Sequence, residues 1–600
     1  MWALGALVVF VTLAIVALPF VASTQIVRDR IAGELGIWSG YRVTLGGAPE
    51  IEVWPNFRAI LSDVRFSDWS DPDQKPVLAA ERMQLDLAAF SAVRGKIVFN
   101  NARLVRPTLR VTTTGKPLPL PAAPDGGRML RSVEIARAVV ATNPTAPDLN
   151  ALPDDTLGRI EFNDGRVLLA GADGDTEIVT GLTGSLDWAA LNRPAVIAAT
   201  AIWHGESVKV EASATKPLLL LGGGASPLSV KIAAAPASLS FDGMASAGGD
   251  AYLEGPFSFS SPSVRRTLEW SHRESMPDAA IGSIAVTSRI SGDMKRLKFD
   301  DVEITLDGNP GMGALEASLA NGVPGISGTL AFENLDLRSF LSAFTPLESS
   351  GAKEIDTTFT DQLSLDLRLS AARATAGRVS LANVAATAQV KSGLAAFDIS
   401  DATAFGGTVQ AGLRFDRKPD AENVEIRLLA SDVEGMALGK AIGIAALPAA
   451  RGTVSLTMKG QGKTWNGFLG TATGSFAASF GAGNLAKVDL RAFIERTKQG
   501  GFFALTEVAG NSLAIDGIEI KANIDDGIAW IDKAEARSGD VTIRLKGIVP
   551  YLSGGLALSG SVLTAAQKTD PTAPPDSAFF VGGSWNAPFV SPVFRELPPE

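Results

Sequence analysis

Apolar and polar side chains alternate residue by residue through most of the chain, as in Leu363-Ser364-Leu365-Asp366-Leu367-Arg368-Leu369. Successive strand side chains point to opposite faces, so each such run predicts a ribbon with one greasy side and one wet side. The pattern returns at residues 208–211, 302–306, 424–428, 454–458 and 541–546. One uncharged apolar segment, residues 2–22, comes before all of them, and the first ionisable side chain is Arg28. Trp2, Leu7, Phe10, Leu13, Ile15, Leu18 and Phe20 belong to this segment, which has about the 20 residues a helix needs to cross a bilayer core. A membrane anchor is the expectation. The alternative is a cleaved signal peptide ending near Val21-Ala22-Ser23, but the segment lacks basic residues ahead of it and is longer than a usual signal core.

The expected fold is therefore mainly β: an N-terminal transmembrane helix, then a long, curved, largely antiparallel β-sheet of groove-like repeats with a few short helices. Boundaries are expected at an anchor 1–23, an N-terminal β domain 24–120, middle β-rich repeats 121–360, a C-terminal β domain 361–565 and a Pro-rich tail 566–600 with one final strand. Thr24 to Leu35 reads as a short amphipathic helix, with Val27, Ile31 and Leu35 on one face and a stop near Gly36. Flexible joints are expected at 117–127, 143–155, 222–227 and 569–575.

A short echo recurs at Leu85-Asp86-Leu87, Leu186-Asp187-Trp188, Leu335-Asp336-Leu337 and Val488-Asp489-Leu490. Each predicts a strand end, an Asp cap and a helical turn, with the two later copies continuing as helices.

Composition narrows the chemistry. With 46% apolar and 20% charged residues the chain has ample material for burial. Its 61 Gly and 33 Pro read as turn formers between strands. A net charge of −10 with no basic stripe removes the footprint for nucleic acid, and the absence of cysteine removes thiolate chemistry and sulfur-ligated metals. The only histidines are His204 and His272, and neither lies in a triad or zinc pattern. Gly462-Lys463-Thr464 reads as a turn, and Gly481-x-Gly483-x-x-Ala486 as a strand-to-helix turn. The carboxylate pairs Asp154-Asp155, Asp300-Asp301 and Asp525-Asp526 read as solvated turn residues. No catalytic, cofactor-binding or metal site emerges, and an enzyme is not expected.

Residues 37 to 111 carry Trp38-Ser39-Gly40-Tyr41-Arg42-Val43, Glu50-Ile51-Glu52-Val53-Trp54-Pro55, Leu61-Ser62-Asp63-Val64-Arg65-Phe66 and Arg106-Pro107-Thr108-Leu109 in that order. Later come Gly377-Arg378-Val379-Ser380-Leu381, Lys391-Ser392-Gly393 and Phe405-Gly406-Gly407-Thr408-Val409. In this order the motifs resemble the AsmA family. The resemblance implies a single-pass inner-membrane protein with its bulk in the periplasm, supporting outer-membrane biogenesis and lipid homeostasis. It implies phospholipid or another acyl lipid, the inner membrane and other envelope proteins as partners.

An apolar strand face can shield acyl chains at about 0.8 kcal/mol per methylene removed from water. Leu363, Leu365, Leu367, Leu369, Val454, Leu456, Met458, Val541, Ile543 and Leu545 are the candidate lining of such a groove. The competing expectation is a non-catalytic envelope scaffold, or a regulator of outer-membrane protein assembly, in which two such faces close on one another as a sandwich. Periodicity alone does not separate them.

Overall fold

The computed structural model describes residues 25–52, 58–69, 75–87, 99–112, 127–171, 174–247, 251–271, 282–293, 295–320, 322–342, 354–355, 357–418, 422–444, 447–510, 512–564 and 577–593. The expected anchor and His272 lie outside them. Among the described residues no helix is long and apolar enough to cross a membrane. The protein is mainly β, and among the described residues its strands pair into mixed, chiefly antiparallel sheet. The chain divides into two compact units, residues 1–273 with 283–302 and residues 274–282 with 303–600. That division falls inside the segment 121–360.

The first unit begins with helix α1 (Gln25–Ser39). Its buried Ile31 and Leu35 match the expected face, but the helix runs past Gly36 and stops at Gly40, whose φ of +79° suits the residue after a helix end. The short strands β1 (Arg42–Leu45) and β2 (Glu50–Glu52) pair with β3 (Arg58–Ser67). Next come β4 (Pro76–Leu87) and β5 (Phe99–Thr112), each antiparallel to its predecessor. Helix α2 (Arg128–Thr142) follows, and β6 (Thr156–Gly171) then pairs with β5 in parallel.

An antiparallel meander continues through β7 (Gly174–Ala190), β8 (Ala195–Trp203) and β9 (Glu206–Ala214). After the short helix α3 (Pro217–Leu221) it resumes as β10 (Ser226–Ala234), β11 (Ser238–Ser246) and β12 (Tyr252–Ser261). Helix α4 (Val264–Trp270) precedes β13 (Ile284–Asp293), which pairs with β12. The strand β14 (Arg296–Leu306) alternates in the same way.

In the second unit β15 (Asn309–Ala320) pairs with β16 (Val323–Asp336). Helices α5 (Leu337–Ser342) and α6 (Phe359–Gln362) lead to β17 (Ser364–Ala376), which is parallel to β16. Antiparallel neighbours β18 (Val379–Lys391), β19 (Leu394–Ala404), β20 (Gly407–Arg417) and β21 (Glu422–Glu434) follow. Then come α7 (Gly435–Ile442), β22 (Arg451–Gln461), α8 (Trp465–Gly470) and β23 (Thr473–Phe480).

A two-stranded side sheet joins β24 (Gly483–Ala486) to β26 (Ser512–Ile515), flanking α9 (Leu490–Gln499) and β25 (Phe503–Ala504). The main sheet closes with β27 (Gly517–Asp525), β28 (Ile528–Ser538), β29 (Val541–Pro550), β30 (Gly555–Leu563), β31 (Ser577–Ser584) and β32 (Ala587–Pro592). The tail thus holds two strands rather than the one expected.

Of the Asp echo, two copies are realised and one is not. Asp336 accepts hydrogen bonds from Arg338 N and Ser339 N, and Asp489 from Ala492 N, so both cap helices as expected. Asp187 instead sits within β7, and Asp86 lies near the end of β4, where it accepts from Arg58 at 2.8 Å. Asp187 is held in the ladder opposite Arg159 and Val196, and the residues that would follow Asp86 into a helical turn, 88–98, lie outside the described residues.

Of the expected turn residues, Asp526 lies in a tight hairpin, whereas Asp300 and Asp301 lie within β14 and Gly483–Ala486 forms β24. His204-Gly205, Asp307-Gly308, Ser392-Gly393, Phe405-Gly406 and Asp526-Gly527 each carry φ near +50° and then near +80°, as tight hairpins require. Asp301, by contrast, has φ +50° inside β14. Thr464 accepts from Gly467 N and caps α8, so Gly462-Lys463-Thr464 is a turn into a helix.

Candidate functional site

Strand register assembles the ten groove candidates. Leu367 of β17 lies opposite Ala388, which faces Phe397, then Leu413, Ile426 and Met458 in turn. Val454 lies opposite Ala478, which faces Ile520, then Ala534 and Leu545. Opposed residues share a face and so do residues two apart, so the nine candidates within strands line one side of the second unit's sheet. Leu363 sits just before β17, where its N–H bonds to Phe359 O.

The burial of this face is uneven. Leu365, Leu367, Leu369, Val454 and Met458 are buried, while Leu363, Leu456, Val541, Ile543 and Leu545 are partly buried. Short helices cover it at both strand ends. At one end α6 packs on β16 and β18, α8 packs on β22, and Phe359, Phe415 and Phe468 are enclosed, with the Phe415 and Trp465 rings 6.0 Å apart edge to face. At the other end α7 packs on β21, and α9 packs on β31 and β32 over a cluster of Phe493, Phe503 and Phe579. Val541, Ile543 and Leu545 pack against that cluster, so they support a roof rather than line open space.

Between the roofed ends runs a middle row of mutually opposed residues, Ile399, Ala411, Leu428, Leu456 and Phe476. All five remain partly accessible.

The first unit holds an open apolar face that the sequence-based candidates missed. Ala199, Val210, Ile232, Leu239, Phe259 and Val286 oppose one another across β8 to β13, and every one is partly accessible. A second sheet packed on them would bury them. The opposite side is wet: Lys231 faces Glu211, and the Ser240 and Ser258 hydroxyls bond at 2.7 Å. The signal was present in Val208-Lys209-Val210-Glu211 and in Leu228–Ile232, but short Ala- and Ser-rich strands dilute it.

Register carries this face to a roofed end. Leu85, Ala102, Ile160 and Leu186 oppose one another across β4 to β7, and Leu186 opposes Ile197 of β8. Helices α1 and α2 lie over them, leaving a half-open, mostly apolar cavity of about 600 Å³ bordered by Leu35, Trp38, Met83, Leu104, Met129 and Trp188. Arg128 and Asp155 also border it, their side chains 3.8 Å apart, and the Arg128 guanidinium stacks 5.0 Å over the Trp38 ring.

Electrostatics belong chiefly to the wet face. Burial pushes the Asp86 carboxyl up, but hydrogen bonds from Arg58 and Asn101 and the charges of Arg58 and Arg103 outweigh it and hold it below its usual range. Burial, with Asp68 nearby, raises the Tyr41 hydroxyl to about 12. Hydrogen bonds from Lys533 and Lys521 bring Glu519 down to about 2. Because that folded value is depressed, the stabilisation is present above the ordinary carboxylate pKa and is lost as pH falls through about 2. A carbon-detected titration should place the Glu519 midpoint near 2, and Lys533→Ala should raise it; a midpoint of about 4.5 in the unmodified chain would refute the pairing.

No group of His, Asp or Glu among the described residues is arranged to hold a metal ion. His204 occupies its hairpin with Nδ1 2.7 Å from Trp270 O and its ring stacked on Trp203, as a turn residue. No family model matches the chain, and neither a curated protein nor a solved structure matches it.

Proposed function

We propose that the chain is an inner-membrane-anchored periplasmic protein of the AsmA kind that holds phospholipid acyl chains along the apolar face of its sheet and passes them on, in support of outer-membrane biogenesis. The observation that carries this reading is the partly accessible apolar row from Ala199 to Val286, backed by a wet opposite face. A guest chain there loses water contact at every methylene while its headgroup stays hydrated, and no catalytic group is required. The motif order of residues 37–111 and 377–409 supports the family and the compartment.

A second reading is a non-catalytic scaffold for envelope proteins, favoured by the closed rows around Leu365, Val390 and Ala395.

Photoreactive residues placed in the full chain within its native membrane separate the two. Positions Ile232 and Leu456 should yield phospholipid adducts, and the outward positions Lys231 and Arg427 should not. Adducts on neither face, or on both alike, would remove the lipid reading.

A further inference from the structure

We propose that helix α7 and the turn behind it dock on the surface of a phospholipid bilayer, with Met436, Ile442 and Ile444 among the acyl chains and Lys440 at the phosphates. This deepens the lipid-holding reading above by naming where a bilayer meets the sheet. Residues 435–450 carry one side chain able to form a strong hydrogen bond, Lys440, and are otherwise only Gly, Ala, Pro, Met, Leu and Ile. Yet Met436, Ile442 and Ile444 are 55%, 52% and 47% exposed. That exposure is built into the backbone. Glu434 accepts from Met436 N and Ala437 N at the start of α7, Gly435 N bonds to Ala450 O, and Ile444 N bonds to Gly439 O at 2.8 Å around Gly443, whose φ is +79°. Gly435, Leu438 and Gly439 form the buried side. The helix is thus fixed by its inner side, and its aliphatic tip is turned to solvent.

Chemistry selects a bilayer over a protein. A protein interface forms about one hydrogen bond per 100–200 Å² and favours Tyr, Trp and Arg, whereas residues 435–450 hold none of the three and a single donor side chain. An exposed patch of aliphatic side chains alone matches hydrocarbon. Lys440 lies in the last turn of α7, two residues from Ile442, where its stem can run along the apolar tip and its ammonium reach the phosphates. The neighbouring carboxylates are engaged elsewhere: Glu434 caps the far end of the helix, and Asp432 is paired with Arg451 at 2.6 Å. Helix α7 packs on β21, the strand that carries Leu428 of the accessible middle row, so a docked bilayer abuts a strand along which lipid is held.

The chain has no cysteine, so one introduced thiol carries one label. The test uses the full chain in nanodiscs with a nitrobenzoxadiazole fluorophore on Ile442→Cys. Nitroxide-bearing phospholipid is placed either in the nanodisc or in added vesicles of phosphatidylethanolamine and phosphatidylglycerol. The label should shift to the blue and lose most of its emission to nitroxide lipid in one of the two membranes, whereas the same label on Ser475→Cys of the wet face should be quenched by neither. Ile442→Asp with Ile444→Asp should reduce the docked fraction, read by a label on Met436→Cys, about tenfold or more. Its melting temperature should not change, because both side chains are already about half in water. Lys440→Gln should reduce docking about fivefold, the share of one basic contact with the headgroups. If the double variant loses stability, quenching of the single label decides alone. Shielding that rises with protein concentration and ignores nitroxide lipid assigns the tip to a second copy and overturns the proposal. No quenching from either membrane, with phospholipid adducts at Leu456 intact, overturns the docking helix alone. Loss of those adducts as well overturns the reading beneath it.

Discussion

Ile232→Asp and Leu456→Asp are expected to leave the protein folded and to cut its bound phospholipid at least tenfold, whereas Leu367→Asp is expected to unfold the second unit. Ile232 and Leu456 are partly accessible, so an aspartate there keeps much of its hydration in the empty protein. Once a lipid chain covers the face, the same carboxylate must be desolvated or the chain must leave. Removing a charge from water without a partner costs several kcal/mol, and about 1.4 kcal/mol already corresponds to tenfold in occupancy. Leu367 is 7% exposed in a row with Ala388 and Phe397, where the carboxylate is desolvated in the empty protein too. Phospholipid per chain by mass spectrometry, with melting followed by circular dichroism, reads both effects. Should Ile232→Asp melt out as Leu367→Asp does, the face is a closed core and the scaffold reading takes its place.

This contrast redraws what the sequence showed. Alternation identified the strands, and it put Leu365, Leu367, Leu369, Leu456 and Met458 on one face, as the register finds them. Alternation states which way a side chain points, not what lies above it. Leu365 and Leu456 therefore looked equivalent, although the first lies toward a strand end near α6 and the second in the middle row. Their difference depends on where α6, α7, α8 and α9 fold back, a long-range matter that no local period encodes.

The roof over the first unit has a signal in the sequence. Met129, Val133, Ala136 and Val140 recur at helical spacing directly after the Pro-rich stretch, and that stripe is the side of α2 that packs with Trp188 and Leu219.

Glycine gave the clearest difference between expectation and fold. Many of the 61 glycines do form turns, but Gly328 stands in the middle of β16, between Leu315 and Leu367 on the apolar face. Its φ is +146°, and a Cβ added there would lie 2.2 Å from Ala314 O and 2.9 Å from Leu315 Cα, both backbone atoms of the neighbouring strand. Such a residue lets two strands approach closely where any side chain would hold them apart. Gly328→Val is therefore expected to cost the second unit about 3 kcal/mol or more, combining an unfavourable backbone region with a clash that no rotamer relieves. Gly322→Ala is the matched control, because its φ of +80° is also unfavourable for a side chain but nothing lies within 4 Å of its Cβ position. It should cost only about 1–2 kcal/mol. Urea unfolding with hydrogen exchange of the β15 and β16 amides measures both, and the Gly328 variant should lose protection there first. Equal costs for the two substitutions would show that Gly328 serves conformation alone, and that the close approach of β15 to β16 adds nothing.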